Sequence, residues 1–571
     1  MFTFLESVAV FSVLWALWRF ISSSFTTSDL DNIPGPPSGS FLKGNFGQLY
    51  NIHGFDFHTK IAEQFGRVIG IFGPFGSRQL YIYDPKAVHH ILVKDQYVYE
   101  ETTAFLAYVG LLSLVPYDNP TEQCYPLPSS NGIVFGDGLL ASLGEKHRKQ
   151  RKLINPVFSV AHMRNMVPIF DDIAKKLSDA IELQVERGAP EVDVLYWMTR
   201  AALEMIGQCG LGYSFDPLTE GAVPHPFSKA AKDLVPVLFK FEFMREFMLP
   251  SLVQIGSPEF RKRAVDVLAI PWRNLRRLRE LVNVMDDTTT RIYEDKKLKM
   301  DRGEGTEKGA APAKDILSIL MRANREAAEE DRLPEREVLG QLSCVTIDLR
   351  STDTTSNAFA RILHLLATYP DAQERLRKEI MEARDTHGEL SYDALVALPF
   401  MDAVLRETMR LYPPVSTVIR TTRQDIVLPL SAPITGLDGR EMHSIFLPNN
   451  TNVVVSILCA NQDPLLWGSD AAEWKPERWL SPLPQALINA RLPGVYSHIL
   501  TFLGGGRACI GFKFSELELK ATMSVLISKF RFALSDKKIL WEMGGIVTPS
   551  VEGLPGQPQL PIKVELVESK R

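Results

Sequence analysis

The stretch FLGGGRACIG, from Phe502 to Gly511, constrains the fold of this chain more than any other. A cysteine buried for packing needs no special neighbours, since a thiol packs well beside any aliphatic side chain. Four glycines and Arg507 surround Cys509 instead, which indicates that something large or charged approaches this backbone. The residues that follow, Gly511–Lys529, are amphipathic and predict a helix that begins near the cysteine. The N–H groups and partial positive charge at such a helix start would stabilise Cys509 as a thiolate.

The composition is that of an ordinary globular protein with a large core. The chain has 571 residues, of which 45% are hydrophobic and 23% are charged, and its net charge is -5. Because it has neither a long basic stripe nor finger-type Cys/His spacing, nucleic acid is a poor candidate for a partner. Its five cysteines are widely scattered and form no CxxC pair, which disfavours a disulfide framework or a structural zinc site. Reduced thiols fit a domain that faces the cytosol.

The N-terminus predicts a membrane anchor followed by a hinge. Phe2–Phe25 is mostly apolar, with Glu6 and Arg19 as its charges, and about 20 such residues can span a bilayer as a helix. A cleaved signal peptide is the alternative, although no basic region precedes the apolar core. The Pro/Gly stretch DNIPGPPSGS cannot continue a helix. We therefore divide the chain into an anchor at residues 1–25, a hinge at 26–40 and one large domain at 41–571.

The body of the chain is predicted to be mainly α-helical with small β-sheets. Arg67–Gly73 and Arg78–Asp84 alternate β-branched and aromatic residues and end in turn residues, as strands do. Amphipathic periodicity predicts helices at Ala161–Gln184, at Leu195–Gly207 and, between two breaker signals, at Pro334–Thr368. The polar cluster Ser351–Ser356 lies in the middle of this last helix. It is either a solvated face or a polar spot inside an apolar cavity.

Two further motifs predict a buried ionic network. Glu407 and Arg410 are three residues apart on an apolar helix, so they share a face and can pair. Such a pair is commonly a surface ion pair, but a charge inside an apolar helix must be paired. Arg478, in the loop WKPERW, is a second cation that could complete a Glu–Arg–Arg network.

These motifs together resemble the cytochromes P450. Phe502, Gly505, Arg507, Cys509 and Gly511 match the FxxGxRxCxG haem-ligand signature of that family. Glu407 and Arg410 match its ExxR motif, and Pro476-Glu477-Arg478 matches its PER motif, in the family's order along the chain. The resemblance implies the cytochrome P450 fold, preceded here by a transmembrane helix, and haem b with Cys509 as the thiolate ligand of the iron. It also implies that Phe502 packs near the sulfur and that the glycines let backbone lie against the porphyrin.

The resemblance also suggests which residues hold the two haem propionates. Arg507 lies in the cysteine loop, Arg420 follows the Pro-Pro turn after the ExxR helix, and Arg151 matches the arginine of the family's WxxxR pattern. His147 stands where that pattern has tryptophan, and both residues can donate a hydrogen bond through a ring nitrogen.

The polar cluster corresponds to the family's oxygen-activation motif, which implies that Asp353 and Thr354 are catalytic and deliver protons. Arg350 and Ser351 depart from the usual pair of small residues. Arg350 could face the haem, where it would restrict the cavity or recognise a carboxylate, or it could point away. The implied reaction is insertion of one oxygen atom from O2 into a lipophilic small molecule. A haem-thiolate isomerase or dehydratase and a non-catalytic haem sensor are the alternatives.

The expected partners follow from the same resemblance. No flavin or nicotinamide fingerprint is present, so electrons would come from an NADPH-cytochrome P450 reductase. The basic cluster Arg148, Lys149, Arg151 and Lys152 could dock its acidic surface, or could be a solvated helix face. The anchor would place the chain in a membrane, the endoplasmic reticulum, with the catalytic domain facing the cytosol. The sequence looks like fungal members of the family, which oxidise terpenoid or polyketide intermediates of secondary metabolism.

Overall fold

The computed structural model describes residues 29–102, 138–241, 260, 263, 267–302, 315–346, 349–496 and 498–567. Helices dominate these residues, as the sequence predicts. The α-helices, in chain order, are α1 (Phe46–Leu49), α2 (Gly54–Phe65), α3 (Pro85–His89), α4 (Gly144–Ile154), α5 (Val160–Glu186), α6 (Val194–Ile206), α7 (Pro226–Phe239), α8 (Arg273–Asp301), α9 (Ile316–Glu326), α10 (Glu335–Thr346), α11 (Leu349–Thr368), α12 (Pro370–His387), α13 (Tyr392–Val396), α14 (Pro399–Leu411), α15 (Ile457–Asn461), α16 (Pro464–Trp467), α17 (Gln485–Ala490) and α18 (Phe512–Lys529).

Several of these helices begin where the sequence carries a start signal. The carboxylate of Asp193 accepts a hydrogen bond from the Tyr196 N–H and caps α6. Pro399 occupies the first turn of α14, where its missing N–H costs nothing. The predicted helices at 161–184 and 195–207 are confirmed as α5 and α6. The long helix predicted at Pro334–Thr368 is described as α10 and α11, which lie on either side of residues 347–348.

The strands form small sheets. They are β1 (Val68–Phe72), β2 (Arg78–Ile82), β3 (Tyr99–Glu100), β4 (Val192–Asp193), β5 (Thr417–Thr422), β6 (Ile426–Thr435), β7 (Glu441–Leu447), β8 (Asn452–Ser456), β9 (Phe530–Leu534), β10 (Ile539–Met543), β11 (Val547–Val551) and β12 (Pro561–Leu566). The two predicted N-terminal strands are confirmed as β1 and β2.

The largest sheet brings two distant parts of the chain together. Its strand order is β1-β2-β8-β5-β3, and β3 pairs antiparallel with β5, so that Glu100 lies opposite Thr421. Residues that follow β3 are therefore held beside Arg420, although they are more than 300 positions apart in sequence. The other sheets are β4-β12-β9, β6-β7 and β10-β11.

The helical core packs around α18. This helix contacts α5 and α12, while α11 contacts α6. The rings of Phe170 on α5 and Phe514 on α18 meet edge to face, with centroids 5.0 Å apart. Burial of these apolar faces holds the start of α18, and with it the cysteine loop, in a fixed position.

No helix within the described ranges is both long and apolar enough to cross a lipid bilayer. The anchor predicted at residues 1–25 lies outside those ranges.

Candidate functional site

The cysteine loop has the geometry that the sequence predicts. The Cys509 N–H donates to the carbonyl of Phe502 at 2.9 Å, which folds the intervening glycines into a tight bend with a short 3-10 turn at Gly505–Arg507. Helix α18 begins directly afterwards at Phe512, preceded by Gly511. Cys509 is exposed. The loop therefore presents a thiol at the positive end of a long helix, an environment that favours the thiolate.

The glycines of this loop are required by close backbone contacts. Gly505 has φ +71°, and a Cβ at this position would lie 1.9 Å from the carbonyl oxygen of Leu92. A Cβ at Gly504 would lie 1.4 Å from the carbonyl oxygen of Pro493. The sequence analysis expected the porphyrin to be the group that approaches these glycines. The atoms that approach them here are the backbone carbonyl oxygens of Leu92 and Pro493. At Gly511 the nearest atom to a Cβ is 4.0 Å away, so space does not require glycine there.

Phe502 belongs to an aromatic group beside the loop. Its ring lies 5.6 Å from that of Tyr496, at right angles, and 6.2 Å from that of Phe512. These contacts fix the ring on the segment that accepts the Cys509 hydrogen bond.

Helix α4 approaches the cysteine loop from another side. The Arg151 guanidinium donates through Nη1 to the carbonyl of Ala508 at 2.7 Å. Burial lowers the pKa of Arg151, an effect that nearby Cys509 opposes. His147, one helical turn earlier, is 8% exposed. Burial, together with the charges of Arg507 and Arg151, lowers the pKa of His147 to about 3, so the ring is neutral at physiological pH.

Two acidic residues that the sequence analysis missed face the predicted cations. Glu100 accepts a hydrogen bond from Arg507 Nη2 at 3.1 Å, and Glu101 accepts one from Arg420 Nη1 at 3.0 Å. Arg423 donates to the backbone carbonyl of Glu101. The sequence does contain two consecutive acidic residues at the end of a β-like run. Their arginine partners are known only because β3 pairs with β5 in the fold.

The charges of this cluster do not balance. Among the described residues it contains four guanidinium groups, those of Arg151, Arg420, Arg423 and Arg507, and two carboxylates. The ion-paired side chains are largely buried, with Arg420 5% and Arg507 15% exposed. Four guanidinium groups beside two carboxylates give these side chains a net positive charge, which is costly in a poorly hydrated site unless anions bind there. The cluster is suited to an anionic ligand.

The predicted Glu–Arg–Arg network is present and buried. Glu407 and Arg410 are both fully buried and form a two-pronged ion pair, with Arg410 Nε and Nη2 each 2.8 Å from a carboxylate oxygen. Arg478 Nε lies 3.4 Å from Glu407, and its Nη1 lies 2.9 Å from Asp470. The network joins α14 to the loop that carries the PER motif.

Asp353 and Thr354 lie on α11, and both are half-buried. The backbone carbonyl of Asp353 accepts hydrogen bonds from Asn357 Nδ2 at 2.7 Å and from Ser356 Oγ at 3.2 Å. The Thr355 hydroxyl shares a 3.1 Å hydrogen bond with that of Ser515 on α18. The polar cluster of α11 is thus connected to the cysteine helix. The side chains of Arg350 and Ser351 lie outside the described part of the structure.

A buried acid on α18 was also missed by the sequence analysis. Glu518 lines a small cavity between α6, α11 and α18, together with Thr355 and Ser356. Burial raises the pKa of Glu518 well above its ordinary value, which favours the protonated carboxyl group. The amphipathic pattern of α18 did not single out this residue.

Comparison with known proteins identifies the family. The family model for cytochrome P450 matches residues 125–554. The chain belongs to the cytochrome P450 family. It is 49% identical over 570 residues to cytochrome P450 monooxygenase 91 of Postia placenta, with 100% of both chains covered. It is 44% identical to cytochrome P450 monooxygenase 212 of the same fungus, over 97% of this chain and 96% of the relative. It is also 38% identical to ganoderic acid synthetase CYP5150L8 of Ganoderma lucidum, over 98% of each.

The protein is therefore a cytochrome P450 monooxygenase, and its cofactor is haem with a cysteine thiolate ligand. The residues present fit that group. Haem carries two propionates, and Arg151, Arg420 and Arg507 offer cationic donors beside Cys509. Cationic donors of this kind bind carboxylates strongly.

Proposed function

We propose that this cytochrome P450 is a membrane-anchored enzyme that inserts one oxygen atom of O2 into a lipophilic small molecule, a secondary metabolite such as a terpenoid or a polyketide. Two electrons from NADPH arrive through an NADPH-cytochrome P450 reductase, and two protons convert the second oxygen atom to water. The observation that carries the proposal is Cys509, which stands just before the start of α18 and is surrounded by the guanidinium groups of Arg151, Arg420 and Arg507.

The residues around the cysteine loop hold the cofactor. Cys509 would supply the thiolate ligand, Arg151, Arg420 and Arg507 would bind the propionates, and the neutral His147 ring would donate a hydrogen bond to the group. Haem bound in this way supplies the oxygen-activating chemistry of the family. The helix start and Arg151 keep the sulfur ionised.

Asp353 and Thr354 handle protons on the opposite side of the site. The carboxylate of Asp353 takes protons from solvent, and the Thr354 hydroxyl passes them to the reacting oxygen. Hydrogen bonds from Asn357 and Ser356 to the Asp353 carbonyl fix the backbone at this point. Asp353→Asn should lower product formation at least 100-fold, while the reduced CO spectrum stays that of the wild type. Asp385→Asn, a change at an exposed position on α12 outside the site, is the matched control for both measurements.

The anchor and the electron donor are assigned from charge and composition. Phe2–Phe25 is apolar enough to hold the chain in the endoplasmic reticulum membrane, with the domain at 41–571 in the cytosol. On α4, Arg148 is 68% exposed and Lys152 is 72% exposed. Each forms an exposed ion pair, Arg148 with Glu145 and Lys152 with Asp331, which an acidic reductase can replace when it docks on this helix.

The substrate class is supported by relatives of the chain. One relative is named for the synthesis of an organic acid, ganoderic acid, and others are named as monooxygenases. Those names favour oxygen insertion over an isomerase, a dehydratase or a sensor.

The test is the carbon-monoxide difference spectrum of the reduced protein, followed by NADPH consumption with reductase and a terpenoid and polyketide panel. Wild type should give the red-shifted Soret band of thiolate ligation, and Cys509→Ala should lose it. Cys209→Ala, which removes a buried thiol outside the loop, should keep it. A red-shifted band in Cys509→Ala would refute the ligand assignment. A wild type that has the band but shows no substrate-dependent NADPH consumption would refute the proposed reaction.

A further inference from the structure

Glu100 and Glu101 are placed so that each holds one of the arginines of the haem site. Glu100 ends β3 and Glu101 follows it, while Arg420 lies on the neighbouring strand β5. The side chain of Glu100 is 10% exposed and that of Glu101 is 15% exposed. Carboxylates this poorly hydrated are retained only with strong partners.

Glu100 connects three elements around the cysteine. Its Oε2 accepts from Arg507 Nη2 at 3.1 Å, in the cysteine loop. Its Oε1 accepts from the Gly144 N–H at 3.4 Å, at the first residue of α4, the helix that carries His147 and Arg151. The same Arg507 nitrogen also donates to the backbone carbonyl of Ser142, at 2.8 Å. The orientation of Arg507 is therefore set before any ligand binds.

Glu101 plays the same part on the sheet side. Its carboxylate accepts from Arg420 Nη1 at 3.0 Å, and the Ile419 carbonyl accepts from the same nitrogen at 2.9 Å. A guanidinium has five N–H groups on three nitrogens, and the bonds described for Arg420 use only this one nitrogen. Those described for Arg507 likewise use only Nη2. Each arginine is thus fixed at one nitrogen and keeps donors on the others.

We propose that Glu100 and Glu101 are positioning residues, which aim Arg507 and Arg420 at the haem propionates and whose charges lower the reduction potential of the haem. The inference rests on the proposed function, because it takes Cys509 as the ligand and these arginines as the propionate partners. The acids offset two of the four guanidinium charges of the cluster. Without them the surroundings of the iron would be more positive and would favour the reduced state.

Two double variants separate position from charge. Glu100→Gln/Glu101→Gln keeps an oxygen that accepts from arginine but removes both charges. We expect a more positive reduction potential and a rate of haem transfer to apomyoglobin within about threefold of the wild type. Glu100→Ala/Glu101→Ala removes both acceptors. It should release haem at least tenfold faster, since the loss of one hydrogen bond to a charged group already has an effect of this order.

Asp216 provides the control. Its carboxylate pairs with Arg200 in a site away from the cysteine loop, and both side chains are 12% exposed. Asp216→Asn and Asp216→Ala should leave the potential and the haem transfer rate unchanged. If the alanine double variant keeps haem as long as the wild type or longer, the acids compete with the propionates and the positioning role is wrong. An unchanged potential in the glutamine variant would refute the role of their charge.

All variants are compared with wild-type protein whose reduced CO complex shows the thiolate band. A failure of the proposed function would appear in the wild type itself, as the absence of that band. A failure of this inference would appear only as variants that match the wild type.

Discussion

Two ionic clusters, one around Glu407 and Arg410 and the other around Arg507 and Arg420, differ in how completely their hydrogen bonds are satisfied. In the first cluster, Arg410 is fully buried and uses every N–H group it has. Its Nε and Nη2 bind Glu407, its Nη1 donates to the carbonyls of Asn461 and Ala471, and Nη2 also lies 3.3 Å from the carbonyl of Glu473. Nothing further can bind to this guanidinium.

The second cluster is incomplete by the same measure. In the hydrogen bonds of the described residues, Arg507 and Arg420 each donate through a single nitrogen. The cluster contains four guanidinium groups and two carboxylates. In the first cluster, by contrast, Arg410 pairs with Glu407, Arg478 pairs with Asp470, and Lys475 also pairs with Asp470. A network whose buried guanidinium is saturated can only support the fold, whereas arginines that keep donors beyond their ion pairs are built to receive a ligand. This difference separates structural from ligand-binding charges without reference to any relative.

The largest effect is expected from breaking the saturated network. Glu407→Gln leaves the fully buried Arg410 without its counter-ion, and removal of one partner of a buried pair costs about 3–5 kcal/mol. We expect the free energy of unfolding to fall by that amount in urea titrations. Glu477→Gln, at the residue next to Arg478 in the PER motif, is the control. Its pair with Arg375 is half exposed, so it should cost less than about 1 kcal/mol. Equal losses in both variants would contradict the distinction.

A smaller and different effect is expected in the ligand-binding cluster. Arg507→Gln removes a propionate partner and leaves Glu100 buried without its ion pair. Haem transfer to apomyoglobin should become about 10- to 100-fold faster, which corresponds to about 1.4–2.7 kcal/mol. Arg200→Gln breaks the equally buried pair with Asp216 and should alter stability but not haem transfer. If Arg200→Gln releases haem as fast, the effect of Arg507 is one of general stability.

The sequence predicted the saturated network better than the incomplete one, for a physical reason. Glu407 and Arg410 pair within a single helix, so spacing alone brings them together, and the apolar face of α14 requires that they be paired. The helix start after Cys509 is local in the same way, and it was confirmed. Glu100 meets Arg507 across about 400 positions, through a strand of two residues. No local pattern contains that contact.

The glycines and Glu518 show a second limit of sequence reasoning. The glycines predicted a close approach to this backbone, but the sequence did not show which atoms make it. Glu518 was not singled out at all. Gly505 is required by the carbonyl of Leu92, and this neighbour becomes known only when the fold is known. Glu518 occupies a position on α18 that becomes a cavity wall only because α6 and α11 pack there. Spacing predicts which residues share a helix face, whereas tertiary packing decides what that face meets.

A third effect is expected at His147, and it depends on pH. Its ring is neutral in the folded protein, because burial and two nearby arginines lower its pKa to about 3. An unfolded histidine binds a proton below about pH 6.5. The unfolded state therefore takes up a proton that the folded state refuses, and stability contributed by neutral His147 falls as the pH falls from about 6.5 towards 3. At pH 5 the loss is about 2 kcal/mol.

The variant His147→Gln tests this expectation, because its side chain cannot titrate. Between pH 7 and pH 5 its unfolding free energy should drop less than that of the wild type, by about this amount. His58 and His364 are present in both proteins and cancel in the comparison, and His443→Gln, at an exposed position, should behave as the wild type does. Identical pH dependence in His147→Gln and wild type would mean that His147 accepts a proton in the folded state, which a cluster with surplus positive charge should prevent.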